Sequence, residues 1–65
     1  MDRVFTPAQM AERYPGIPVE TFRSWRYKGT GPAFFYAGKR VFYREAAVLE
    51  WEAEQEKELA AKRAS

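Results

Sequence analysis

The sequence contains no cysteine and no histidine. Without cysteine there is no disulfide to demand an oxidising compartment, no thiolate metal site and no thiol nucleophile. Without histidine the commonest general base and the commonest metal ligand are missing too. Aspartate occurs once, as Asp2, and no glycine-rich phosphate loop opens a helix, because Gly29-Thr30-Gly31-Pro32 leads toward a β-favouring stretch. Catalysis by glutamate alone would need a cleft of roughly several hundred Å³, which so short a chain can hardly enclose. No enzyme activity, metal or cofactor is therefore expected. No apolar run approaches membrane-spanning length and no signal-peptide pattern opens the chain, so the expected location is the cytoplasm, with no membrane partner.

What the chain does have is aromatic side chains and an uneven charge distribution. Its 65 residues imply one domain, residues 1–65. A domain of this size buries only about 60% of its unfolded surface. Its core must come from a few large side chains, and two Trp, four Tyr and five Phe meet that need. The net charge of +2 conceals a basic body and an acidic end. Residues 1–44 hold eight Lys/Arg against three Asp/Glu, whereas residues 45–65 hold three Lys/Arg against six Glu.

The order of local signals is helix, turn, helix, hairpin, helix. Thr6 reads as an N-cap, with Pro7 at the first helical position and Gln9 completing a capping box. Phe5 and Met10 form a hydrophobic staple, and this helix runs to Tyr14 before Pro15-Gly16. A second helix starts at Pro18 or Val19 and stops before Gly29, a residue suited to a left-handed cap. Phe22 and Trp25 share its inner face. At 100° per residue the opposite face holds Glu20, Arg23, Ser24 and Tyr27, with Arg26 and Lys28 on the flanks.

Residues 33–37 and 41–43 favour strands around Gly38. Two registers are open. A two-residue Gly38-Lys39 turn groups Phe34, Tyr36, Val41 and Tyr43 on one face, and a three-residue loop groups Phe35, Ala37, Val41 and Tyr43. From Glu45 a third helix begins, with Val48 and Trp51 facing inward and Leu59 loosely extending their stripe. Phe22, Trp25, Val48 and Trp51 are read as core. Residues from about 53 to 65 form a charged helical extension with little to pack, expected to fray.

The run Thr21-Phe22-Arg23-Ser24-Trp25-Arg26-Tyr27-Lys28-Gly29 resembles the second-helix motif of MerR-type winged helix-turn-helix domains. The longer pattern Phe5-Thr6-Pro7, Ala11, Ile17, Trp25, Gly31-Pro32, Gly38-Lys39-Arg40-Val41, Tyr43-Arg44 and Trp51 is similar to the small excisionase-like members of that superfamily, phage and integrative-element proteins that direct site-specific recombination. The match covers residues 4–52. The chain departs from it at Pro18, where a Ser or Thr cap is usual, at Tyr36 and Phe42, where Lys or Arg is usual, and at Glu45-Ala46-Ala47 and Leu49.

The resemblance implies a mainly α fold with a small two-stranded β-hairpin as wing, and a second helix lying in the major groove of double-stranded DNA. Arg23 is the first candidate for contact and Arg26 the second, since arginine takes guanine bidentately and cations neutralise phosphates. Thr21, Ser24 and Tyr27 are donors to bases or phosphates. Glu20 accepts from cytosine or orients Arg23 or Ser24, and Lys28 lies on the flank. Lys39 and Arg40 at the wing tip suit the minor groove or its phosphates, and Arg44 suits a backbone contact. The implied function is that of an excisionase, a recombination directionality factor that binds repeated sites cooperatively, self-associates on DNA, bends it and works with a phage integrase. A small MerR-type transcription regulator is the alternative within the same fold. A protein-interaction adaptor, using the aromatic hairpin and third helix, is the alternative from another class.

Overall fold

The computed structural model describes residues 3–64, so Asp2 lies outside the described part. The elements run β1 (Val4–Phe5), α1 (Pro7–Arg13), α2 (Val19–Lys28), β2 (Phe35–Ala37), β3 (Arg40–Arg44) and α3 (Glu45–Ala64). Among the described residues there are thus three helices and one antiparallel sheet in the order β1-β3-β2.

Local chemistry fixes α1 at both ends. Thr6 Oγ1 accepts from the Gln9 amide at 3.1 Å, and Gln9 Oε1 accepts from the Thr6 amide at 2.9 Å, which closes the expected capping box. Phe5 and Met10, on either side of that cap, are both buried. After Tyr14 the chain turns through Pro15-Gly16, and the Ile17 amide donates to the Tyr14 carbonyl at 3.0 Å. The N-cap position of α2 is Pro18, which offers no side-chain hydrogen bond. Glu20 in its first turn instead complements the positive helix end. It ends at Gly29, beyond which the Thr30 amide donates to the Trp25 carbonyl at 2.8 Å.

The sheet has one strand more than the sequence suggests. The expected wing is two-stranded, but β1 pairs with β3 on its other side, Val4 opposite Arg44 and Phe5 opposite Tyr43. The edge of β3 would otherwise leave backbone donors and acceptors unpaired. The residue just before β1 also serves α3, because the Arg3 carbonyl accepts from the Glu45 amide at 2.8 Å.

The hairpin adopts the two-residue turn. Ala37 faces Arg40, Tyr36 faces Val41, and Phe35 faces Phe42. Gly38 has φ +65° and Lys39 does not have positive φ, which is the arrangement of a type II′ turn with glycine first. Tyr43 is therefore buried and Phe34 and Val41 pack on the core. Phe35 and Phe42 form a ring pair 6.0 Å apart on the other face.

Phe5, Met10, Phe22, Tyr43 and Val48 form the buried core, one or more from nearly every element. Trp25 and Trp51, expected to be core, are half-buried around it, their rings 5.7 Å apart. Leu59 does not extend the inward stripe. It is 51% exposed, and the side chains from 53 to 63 are all exposed although the helix continues to Ala64. Beyond Glu52 the described side chains of α3 are not covered by the core.

A polar clasp ties α1 to α3. Arg13 donates through Nε and Nη2 to Glu52 Oε2 and Oε1 at 3.0 and 3.1 Å, and the Tyr14 hydroxyl donates to the same carboxylate. The Arg13 bonds first, then Tyr14, hold the Glu52 carboxyl below its ordinary value of 4.5. Burial, then the Glu52 bond, pushes Tyr14 up to about 12. A carboxyl lowered by folding stabilises the fold above its unfolded value and loses that contribution as the pH falls through its folded one. Both ends of the ion pair touch solvent, so its share is about 1 kcal/mol or less. Thermal melts should accordingly show the native chain losing more stability than Glu52→Gln on acidification below about pH 4.5, and identical acid profiles would show that the clasp contributes nothing.

Gly31 sets the approach of the hairpin to α2. Its φ is +80°, and a Cβ there would stand 3.0 Å from Trp25 Cε3 and 3.2 Å from Trp25 Cβ. Gly31→Ala combines left-handed strain of about 1–2 kcal/mol with overlap against the ring. The melting temperature should fall by roughly 5–15 °C, and a melt unchanged from the native chain would contradict this close packing.

Candidate nucleic-acid interface

α2 turns Phe22 and Trp25 toward the core, so its remaining residues divide into an outer face and two flanks. Arg23, Tyr27, Lys28 and Glu20 are exposed, and Thr21, Ser24 and Arg26 are half-buried. Tyr27 is 91% exposed. Arg23, Arg26 and Tyr27 line the side toward the hairpin, and helical spacing puts Thr21 and Lys28 on the other side. Glu20 forms no ion pair with Arg23 among the described residues.

The hairpin supplies the opposite wall. Its inner face carries Tyr43 and Val41, alternate residues of β3, and Tyr36, which faces Val41 across the strand pair. The row runs from the buried core outward, and Tyr36 ends it at 65% exposure. Between the two elements lies an open groove of about 290 Å³ lined by Arg23, Arg26, Tyr27, Tyr36 and Val41. Two guanidinium groups and two phenols converge there, with no carboxylate in the lining. Such a groove attracts an anion and offers it several N–H and O–H donors.

Arg26 differs in kind from Arg23. Its Nη1 donates to the Tyr43 hydroxyl at 2.7 Å, and its guanidinium lies 6.0 Å from the Phe34 ring centroid and 5.9 Å from that of Tyr43. It is the hydrogen-bond partner that a buried tyrosine hydroxyl requires. Arg23 makes no such bond among the described residues and is free to reach outward.

The cations of the hairpin are split. Lys39 and Arg40 are both exposed at the turn. The register puts Arg40 on the face of Phe42 and Arg44, away from Tyr36 and Val41. Arg44 lies 4.8 Å over the Phe35 ring on that outer face. Arg23, Arg26 and Tyr27 are thus brought together, Lys39 stands at the tip of the hairpin that walls their groove, and Arg40 and Arg44 face elsewhere. Sequence reasoning left Tyr36 and Tyr43 out of the site, reading Tyr36 as a completion of the core, whereas it is 65% exposed. The glycine-first two-residue turn was the signal that would have placed both on the groove side.

The described helices include none long and apolar enough to cross a membrane. Comparison with known proteins finds no matching family model, no matching curated protein and no matching solved structure, so the geometry of this groove carries the functional argument.

Proposed function

We propose that this chain is a sequence-specific double-stranded DNA-binding protein on a winged helix-turn-helix scaffold, with α2 as the recognition helix and the β2–β3 hairpin as the wing. The observation that carries this reading is the carboxylate-free groove between α2 and the hairpin, with Arg23, Arg26, Tyr27 and Tyr36 on its walls. A major groove about 12 Å wide admits a helix such as α2. Arg23, exposed and unengaged, is the side chain for base edges, while Lys39 at the hairpin tip supplies charge toward the flanking backbone.

A single module buries roughly 600–1,000 Å² of its surface on DNA. Binding by one copy is accordingly modest, and several copies on repeated sites raise it. That requirement, with the sequence resemblance, favours the role of an excisionase that bends DNA and directs a phage integrase toward excision over the role of a promoter-bound regulator.

Gel shifts across the DNA flanking its own coding sequence, at several salt concentrations, test the reading. The logarithm of affinity should fall linearly with the logarithm of salt concentration, by about 0.9 for each phosphate neutralised. Arg23→Ala should keep the native circular dichroism and lose about 1–3 kcal/mol of specific binding. Binding indifferent to salt, or a normal footprint from the folded variant, would refute duplex recognition through this face. Bending of the bound fragment together with integrase-dependent excision separates the excisionase from the regulator.

A further inference from the structure

We infer that the Tyr43 hydroxyl is a positioning group that aims Arg26 at one phosphodiester of the bound nucleic acid, within the groove walled by Arg23, Tyr27 and Tyr36. The inference rests on the duplex-binding reading and adds to it a division of labour between two arginines.

Tyr43 is 1% exposed, so its ring is fixed by the core and its hydroxyl has one direction. That hydroxyl accepts from Arg26 Nη1 at 2.7 Å. The guanidinium is further confined by the rings of Phe34 and Tyr43, about 6 Å from each centroid. Arg26 also lines the groove, and its Nε and Nη2 make no hydrogen bond to the described residues. One edge of a planar fork is therefore anchored to the core while its other donors are left for a ligand. A long side chain held in this way loses little rotamer freedom on binding, which is the usual cost of an arginine contact.

The ligand must be anionic, accept several hydrogen bonds and approach from the open side. A backbone phosphodiester meets all three conditions. The phenols of Tyr27 and Tyr36 stand on the two walls and are the neutral donors that accompany cations on phosphate oxygens. A base edge is a poorer fit, because Arg26 is half-buried and cannot follow a base outward as Arg23 can.

The test is a double-mutant cycle on the full chain with Tyr43→Phe, Arg26→Gln and the double variant, read as affinity for a labelled random-sequence duplex over a salt series. Arg26→Gln should flatten the logarithmic salt slope by about 0.9, the share of one phosphate. Tyr43→Phe keeps the ring and removes only the hydroxyl. It should melt near the native temperature and bind several-fold more weakly, and it should cost nothing further once Arg26 is Gln. An equal loss in both backgrounds, or none in either, overturns the positioning role. Should Tyr43→Phe fail to fold, the Arg26 Nε–H resonance of the unaltered chain decides the matter. It should move on duplex addition, and an unmoved resonance overturns the inference. If the unaltered chain binds no duplex at all, the functional reading itself fails, a result distinct from loss of the coupling alone.

Discussion

Tyr43 is where the parts of this small molecule meet. In backbone register it faces Phe5 of β1. Its ring lies 6.4 Å from Phe22 of α2 and 6.3 Å from Phe34 in the approach to β2. Its hydroxyl holds Arg26. It is also the largest of the fully buried side chains, in a chain that fully buries very few. A domain of this size cannot assemble a broad aliphatic core, so a residue that touches several elements at once has to do what a layer of leucines does in a larger protein. Central position on β3 makes that possible, because a middle strand meets a neighbour on each side and still turns one face to the helices.

From Tyr43 the packing spreads as a chain of ring contacts. Phe22 meets Trp25 edge-on at 5.2 Å, Trp25 meets Trp51 at 5.7 Å, and Trp51 meets Tyr14 edge-on at 5.7 Å. In the other direction Phe34 meets Tyr36 edge-on at 5.7 Å. Each such pair contributes about 0.5–1.5 kcal/mol beyond its buried area. One end of the chain is fastened by the Arg13–Glu52 clasp between α1 and α3. The other opens at Tyr36 into the groove. The proposed interface is thus the outer end of the same aromatic run that holds the helices together.

The parts legible in the sequence are those set by neighbours in the chain. Thr6, Pro7 and Gln9 announce α1 because a capping box needs only adjacent residues, and Gly29 announces the end of α2 because a left-handed cap is a local demand. The outer face of α2 follows from 100° spacing alone, once Phe22 and Trp25 are assigned inward. The parts that stayed hidden depend on distant residues. β1 is two residues long, too short to show alternation, and exists only because β3 offers it an edge. The clasp joins Arg13 to Glu52 across most of the chain, and either residue alone looks like a solvated charge. Leu59 alone was misassigned in the exposed end of α3, since helical spacing says where it would point but not that the core has ended.

Ranking Arg23 above Arg26 by position on the helix treats them as stronger and weaker versions of one thing, and the structure separates them by constraint instead. Arg26 cannot be removed without orphaning the Tyr43 hydroxyl, and a buried hydroxyl without a partner costs about 1–3 kcal/mol. In a domain whose whole stability is on the order of 3–10 kcal/mol, that ties Arg26 to the fold whatever it binds. Arg23 carries no such tie among the described residues and is free to change without disturbing the core. A scaffold this small has few positions to spare, so in the proposed duplex complex the fixed, sequence-independent contact falls to the residue the core already immobilises. In the same proposed complex, discrimination falls to the residue the core leaves alone. The division follows from the burial of one phenol at the centre of the sheet.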